Sequence, residues 1–350
     1  MAASRGGRRN PMDGAGVTME DVAREAGVSR ALVSIVLRDV PGASEKTRDH
    51  VKAVAAQLGY RPDHRARLLG RHRSGMLGVS FSVKHTFHGD LVEQLYPAAD
   101  AEGFEVGLSA VAATRDEEES AESLINFRCE ALLLLGPTLR PAQLEKLAAI
   151  VPTIVMVRRV EVPGVSVVRT DDRDGVRQAV DHLAALGHKD ICHIHGGTAA
   201  GAAERRQGYR STMKKLGLSS HLREILGGLT EEDGARAAEE LIASGQMPTA
   251  ITAFNDRCAL GVLITLWDSG IKVPEDVSLV GFDDSRLASL SHVDLTTVRQ
   301  DAYGLSTLAV RAAVQRIQTG ARPGETVVPP TLIVRGTTGP VPKRTSRRIK

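Results

Sequence analysis

The sequence has no run of about eighteen apolar residues, so a helical membrane span is excluded. The longest candidate, Ala131 to Gly136, suits a buried strand. Cysteine is scarce. Cys129, Cys192 and Cys258 lie far apart without a CxxC pair, which excludes a disulfide framework and a zinc ribbon and fits a reducing cytoplasm. No apolar stretch follows the arginines of MAASRGGRRN, so a secretory signal is not expected. Gly196-Gly197 with Gly201 lacks the GK[ST] of a P-loop and the spacing of a dinucleotide fingerprint, and reads as a turn. His188, Cys192, His193 and His195 have the chemistry of metal ligands, but adjacent Cys192 and His193 on a strand must face opposite ways. No metal, no cofactor and no catalytic residue are expected, because no Ser/His/Asp or Cys/His set appears in a recognisable local context.

What the chain does have is size and an uneven charge. Its 350 residues, 42% hydrophobic and 25% charged, can fill two or three domains. Residues 1–75 carry 14 Lys/Arg against 8 Asp/Glu, and residues 335–350 carry 6 basic groups and no acid. The stretch between carries 25 basic against 34 acidic residues. A basic head on an acidic body implies that one end meets a polyanion, since cationic surface gains affinity from phosphates by releasing counterions.

Residues 1–16, rich in Gly, Arg and Ala, read as a basic arm. Thr18 is placed to cap a helix with Asp21 three positions on, and Val22, Ala23 and Ala26 supply its apolar stripe. Gly27 ends it. Ser29 caps a second helix with Val33, Val36 and Leu37 inward and Arg30, Ala31, Ser34, Ile35 and Arg38 outward. Ser44 opens a third, with Val51, Val54, Ala55 and Leu58 inward, and Gly59 with Pro62 stops it. Two short helices joined by a glycine turn under a third form a helix-turn-helix module over 17–61, whose second helix reads DNA.

The run Thr18 to Ser29, with Val33-Ser34, Val36-Leu37 and Leu58-Gly59-Tyr60-Arg61-Pro62, resembles the LacI/GalR family of bacterial transcription regulators. The resemblance implies that Thr18, Ser29, Arg30, Ala31, Ser34, Ile35, Arg38 and Tyr60 serve DNA binding. It implies further that 62–75 is a hinge helix, with Arg65 and Arg67 on the backbone and Leu69 as a minor-groove wedge. An apolar wedge is physically sensible: unstacking one base step costs a few kcal/mol, offset by the contacts that bending permits.

From Met76 onward, short apolar runs alternate with helical patterns. Strands are expected at 77–83, 104–111, 131–136, 153–157, 166–170, 191–196, 225–227, 250–254 and 277–282, with helices over 91–102, 175–186, 205–216 and 232–243. This alternation means parallel sheets covered by helices. About 260 residues exceed one open sheet, so two doubly wound lobes with a cleft between them are expected. The pattern resembles the periplasmic-binding-protein type I fold of the same family. The expected effector-binding and dimerisation domain is 76–338, with an N-lobe of about 76–168 and 298–325, a C-lobe of about 169–297 and 326–338, and a basic tail at 339–350.

In open α/β sheets ligands sit at the carboxyl ends of strands. Arg205-Arg206-Gln207-Gly208-Tyr209, Asn255-Asp256 and Gly281-Phe282-Asp283-Asp284 match the family motifs R-x-x-G-[YF], N-D and G-[FY]-D-[DN]. Arg205, Asn255 and Asp283 supply a fork of donors, a mixed amide and a pure acceptor, a set suited to a small polar ligand such as a sugar. Where the family shows D-x-x-N-P-F-F this chain has Val83 to His88, and where it shows V-L-I-D-R an aspartate is replaced by Val157. His85, Phe87 and His88 therefore become candidates on the other lobe.

The expected protein is a cytoplasmic, ligand-responsive repressor that binds double-stranded operator DNA as a homodimer and has no membrane partner. One small reader helix gives too little specificity, whereas two related by a two-fold axis double the contacts and fix half-site spacing. Lys343 to Lys350 shows no leucine heptad to support a coiled-coil tetramer. The alternative, an α/β sugar- or nucleotide-processing enzyme with a basic appendage, would need a phosphate loop or a catalytic constellation.

Overall fold

The computed structural model describes residues 17–37, 39–60, 73–321 and 324–342. Arg38, Arg65, Arg67, Leu69, the arm at 1–16 and the tail at 343–350 lie outside the described residues. The chain divides into two compact units, Met1–Ser74 and Gly75–Lys350.

In the first unit, helices α1 (Met19–Glu25), α2 (Arg30–Leu37) and α3 (Glu45–Gln57) enclose a small core. Val22, Ala23, Ala26, Val33, Val36, Val51, Val54 and Ala55 fill it. The ends form where the capping chemistry places them. Thr18 Oγ1 accepts from the Asp21 amide while the Asp21 carboxylate accepts from the Thr18 amide at 3.0 Å, and Ser44 caps α3 by accepting from the Thr47 amide. Arg48 had no local signal to mark it. From α3 it donates to the Asp39 carboxylate at 2.9 Å and reaches the carbonyls of Ala43 and Val40, tying down the α2–α3 connection.

The second unit holds two six-stranded sheets. The first lobe is built from β1 (Met76–Ser82), α4 (Thr86–Ala101), β2 (Glu105–Val111), α5 (Glu117–Asn126), β3 (Ala131–Leu135), α6 (Pro141–Ile150), β4 (Thr153–Met156) and β5 (Val165–Thr170). The second follows with α7 (Asp172–Ala185), β6 (Ile191–His195), α8 (Ala202–Lys215), β7 (Arg223–Leu226), α9 (Glu231–Ala243), β8 (Ala250–Ala253), α10 (Asp256–Asp268), β9 (Ser278–Asp283) and β10 (Thr296–Arg299). The chain then returns: α11 (Ala302–Thr319) and β11 (Glu325–Val328) join the first lobe, and β12 (Thr331–Ile333) the second. Strand orders are β11-β5-β4-β3-β1-β2 and β12-β10-β9-β8-β6-β7. Every pairing is parallel except β10 with β12.

The strands place the lobe crossings later than expected. β5 runs to Thr170, β10 keeps residues to Arg299 in the second sheet, and β11 keeps residues to Val328 in the first. The physical reason is that β10, β11 and β12 are only three or four residues long. Such segments carry too little apolar pattern to be read as strands. The helix expected to start at Leu91 begins at Thr86, which absorbs Phe87 and His88 into its first turn. Cys192 and His193 do face opposite cores, and among the described residues no group of His, Cys, Asp or Glu is placed to hold a metal. Burial pushes the three free thiols up to about 12, so they remain protonated and inert. Among the described residues, no helix is long and apolar enough to cross a membrane.

Helices α9 and α10 approach until their backbones touch. A Cβ on Gly234 would overlap the Cys258 carbonyl oxygen, and one on Gly261 would overlap that of Glu231. Gly261→Ala should therefore force the pair apart and cost about 1–3 kcal/mol, the usual scale of overpacking. Urea unfolding of the variant checks this; a change below about 0.5 kcal/mol, the scale of a neutral surface substitution, would mean the helices can slide freely.

Candidate functional site

The carboxyl ends of the parallel strands in the two lobes face each other. On the second lobe, Arg205 leaves the first turn of α8 and is 5% exposed. Its Nε donates to Asp172 Oδ1 at 2.8 Å, its Nη1 donates to the Phe254 carbonyl at 2.6 Å, and its guanidinium lies 3.5 Å from the centroid of the Phe282 ring. Phe254 contacts it from another side at 4.7 Å. Each term offsets part of the cost of taking a cation out of water.

Two buried carboxylates, Asp172 and Asp283, act on this cation, and a third, Asp256, lies next to Asp283. Asp172 and Arg205 form an ion pair that is almost fully enclosed. Asp256 accepts from the Ser285 amide and hydroxyl at 2.7 and 2.9 Å and from the Thr297 hydroxyl at 2.5 Å. Asp283, with φ of +117°, accepts from Gln300 Nε2 at 2.7 Å. Burial raises the pKa of Asp283 and the neighbouring Asp256 raises it further, against the opposing pull of Arg205 and the Gln300 amide. Asp256 is raised as well, again chiefly by burial. The other face of Gln300 accepts from the Thr170 hydroxyl at 2.7 Å, so the amide bridges Asp283 to the end of β5, where the chain crosses between lobes. Asp284, at φ +56°, is clamped by Arg299 and Arg335, both at 2.6 Å. Two consecutive non-glycine residues at positive φ store strain at the strand end.

Asn255 has a different role from that expected. It is the N-cap of α10: Oδ1 accepts from the Cys258 amide at 2.8 Å and Nδ2 donates to the Leu229 carbonyl at 3.2 Å. Its polar atoms are thus engaged in holding the loop that carries Phe254 and Asp256.

On the first lobe, His85 and His88 stack with centroids 4.6 Å apart. His88 Nδ1 accepts from the Ser82 amide at 3.1 Å, so the other nitrogen, Nε2, carries the hydrogen. Burial lowers the His88 pKa to about 3. His85 is half-buried and also lowered, first by burial and then by the charges of Arg205 and Arg257 from the opposite lobe. A Cβ on Gly136, at the end of β3, would lie 3.3 Å from both His88 Nε2 and the Ala200 methyl of the other lobe, so the two walls are close. Phe87 corrects the expectation: it is buried in the first-lobe core with Leu91 and Leu95, because the start of α4 turns it inward. Val157, just past the end of β4, has φ +54°, unusual for a β-branched residue, and its side chain offers no acceptor.

In the first unit, Thr18 caps α1 and Ser29 stands before α2, its hydroxyl accepting from the Leu32 amide at 3.2 Å. Arg30 and Ala31 are exposed, and Arg30 approaches Glu20 at 3.5 Å in a solvated pair worth little. Ile35 and Ser34 are half-buried, not fully outward as expected. Ile35 lies against the turn at Gly42, where a Cβ would sit 3.5 Å from its Cγ2. Tyr60 packs against the three-helix core. Sequence reasoning missed Asp172, Phe254, Asp256, Thr170 and Gln300, although Asp256 sits inside the Asn255-Asp256 motif.

Comparison with known proteins agrees with this geometry. Residues 18–63 match the description "Bacterial regulatory proteins, lacI family" and residues 180–338 match "Periplasmic binding protein-like domain". The chain is 34% identical over 304 residues to the transcriptional regulator GalR of Escherichia coli, covering 85% of this chain and 87% of that one. It is 47% identical to a solved LacI transcriptional regulator from a Rhodococcus species, with a TM-score of 0.74 over 76% of this chain and 99% of that chain. The lac repressor dimer bound to operator and the anti-inducer ONPF is similar at a TM-score of 0.81 and 29% identity, over 93% and 100% of the two chains.

The carboxylate surplus has a pH consequence. A buried acid whose pKa is raised supports the fold fully below its ordinary value and loses that support as pH rises through the raised one. Asp283→Asn keeps the Oδ1 acceptor for Gln300 and removes the ionisable group, so the ligand-free variant should be more stable than wild type at pH 8 by about 1–3 kcal/mol. The difference should shrink toward pH 4. Thermal unfolding of both proteins across this range checks it, and a pH-independent difference would mean that Asp283 is ordinarily solvated.

Proposed function

This chain belongs to the lacI family of bacterial regulatory proteins, and from that premise we propose that its two lobes close on a small polar effector and so set its grip on a pseudo-palindromic operator. The protein is a ligand-responsive DNA-binding transcriptional regulator and not an enzyme. The observation that carries the effector reading is the buried Arg205, held between Asp172 and two phenylalanine rings with Asp283 beside it, directly across a narrow gap from the His85–His88 pair. A wall this costly to bury repays its cost by presenting preorganised polar groups to a ligand. Asp283 then accepts from an effector hydroxyl, Arg205 donates, and Asn255 acts through its neighbours. Relatives whose names mark sugar control, such as the lactose operon repressor of E. coli, support a sugar or related polyol.

A ligand can shift DNA binding only by the difference in its affinity for the two lobe arrangements. On the DNA side α2 is the reader, with Arg30 near the base edges and Ala31 beside it for apolar contact. Thr18, Ser29, Ser34 and Arg38 are assigned to DNA contact, Ile35 and Tyr60 hold the reader's shape, and Arg65, Arg67 and Leu69 are assigned to the hinge segment. We assign a repressor acting as a homodimer. The second lobe leaves Ile264 and Trp267 exposed three residues apart on α10, apolar surface suited to a partner copy.

Gel shifts on the region upstream of its own gene, with and without a panel of mono- and disaccharides, test the whole reading. Arg30→Ala should cost about 1–3 kcal/mol in operator binding and relax the preference at one base pair per half-site. Unchanged preference in a binding-site selection would remove Arg30 from base reading. For the effector, measured at a pH above the raised range of Asp283 where the carboxylate is ionised, Asp283→Asn should keep operator affinity but weaken ligand binding about ten- to a hundred-fold, the worth of a charged hydrogen bond. Calorimetry on this variant and on Arg205→Ala decides: unchanged affinity in both would place the effector elsewhere.

A further inference from the structure

Closure of two lobes needs something that holds the moving edge. The hinge crossings lie at one side of both sheets, where β5 and β11 of the first lobe meet β10 and β12 of the second. In the first sheet the opposite side is β1 and β2, and in the second it is β6 and β7. Opening about a hinge displaces atoms in proportion to their distance from it, so a contact on this far side breaks first.

Among the described residues, a hydrogen bond spans the lobes toward that side. Arg257 stands in the first turn of α10, and its Nη1 donates to the Lys84 carbonyl of the β1–α4 connection at 3.0 Å. The rest of the guanidinium is fixed from its own lobe. Its Nε lies 2.9 Å from both oxygens of Glu231 at the start of α9, and its Nη2 also binds that carboxylate. Glu231 is in turn held below the ordinary carboxylate range by this arginine. The planar fork leaves one nitrogen aimed across the gap, a geometry that a flexible ammonium would not maintain. The carbonyl it reaches belongs to the residue before His85, and Arg257 is close enough for its charge to act on that ring.

We propose that Arg257, pinned by Glu231, is the closing clasp of the effector cleft: a positioning residue that holds the Lys84–His85 segment over Arg205 without touching the ligand. This rests on the reading of the cleft as the effector site, but the clasp belongs to the ligand-free protein and is testable without any effector. The clasp makes closure a matter of one hydrogen bond anchored by an ion pair within the second lobe, so Glu231 and Arg257 should act as a unit.

The test uses the full-length protein with selectively 13C-labelled histidine. His85 feels Arg205, Arg257 and the adjacent His88; His195 on β6 feels Arg206, Glu224 and Arg210 and serves as internal reference. Arg257→Gln should raise the titration midpoint of His85 and leave that of His195 in place. Glu231→Gln should loosen lobe closure as Arg257→Gln does, because an unpinned guanidinium wanders from the gap. In parallel, spin labels on Ala113→Cys and Glu239→Cys, in dimers diluted with unlabelled chain, should show a longer and broader interlobe distance in Arg257→Gln than in the parent; the three native thiols are buried and escape labelling. An interlobe distance unmoved in Arg257→Gln would overturn the proposal, whatever the His85 midpoint does, and leave Arg257 as an ion pair within its own lobe. Failure of the effector reading would show separately, as sugar-independent operator binding with these two shifts intact.

Discussion

Arg205 carries a full charge at 5% exposure, and a lone ion so far from water would cost several kcal/mol. The second lobe is arranged to meet that cost. Asp172 reaches it from the start of α7, the Phe254 carbonyl from the end of β8, and the Phe282 ring from β9. Three strand-to-helix connections that are distant in sequence must therefore be in register before the guanidinium is stable. The same pairing leaves Asp256 and Asp283 without a cation of their own, which is why hydroxyls, amides and Gln300 crowd around them. The cleft wall is in effect one polar network, and partial satisfaction of such a network is worse than an apolar core.

That network ties the ligand wall to the hinge. Gln300 is where the chain leaves the second lobe, and its amide holds Asp283 on one side and the Thr170 hydroxyl on the other. A side chain that binds both the ligand wall and a crossing strand gives a physical route from occupancy to lobe angle. The far side of the cleft has the separate contact through Arg257 and Lys84. Rotation is thus constrained at the pivot and at the rim by different chemistry.

Much of this was legible in the sequence, and the pattern of what was not is instructive. The three-helix unit announced itself through caps and glycines, because Thr18, Gly27, Ser44 and Gly59 act on their own neighbours. Long apolar strands such as Ala131–Leu135 were equally plain. The short returning strands were not, since pairing with β5 and β10 supplies their stability and pairing is not a local property. At the site, Arg205 and Asp283 could be named, yet Asp172 could not: nothing in its surroundings reveals a partner on another helix. Phe87 was misread because an aromatic near a strand end looks like a cleft residue until the helix start rotates it into the core. Asn255 was named for chemistry and turned out to serve geometry, as a cap.

The first lobe is not contiguous, and this governs how the protein can be made. Its sheet begins with β1 at residue 76, but its outermost strand is β11 at residue 325, and the core under that sheet is completed by Leu305, Ala309, Val310 and Ala313 of α11. A ribosome delivers these after all of the second lobe except β12 and the segment that follows it. The nascent first lobe must therefore wait with an unpaired β5 edge and an uncovered apolar face while its neighbour folds, a state open to strand addition and aggregation. Slow synthesis will not help it, because what it lacks has not yet been translated; chaperone cover during that interval will.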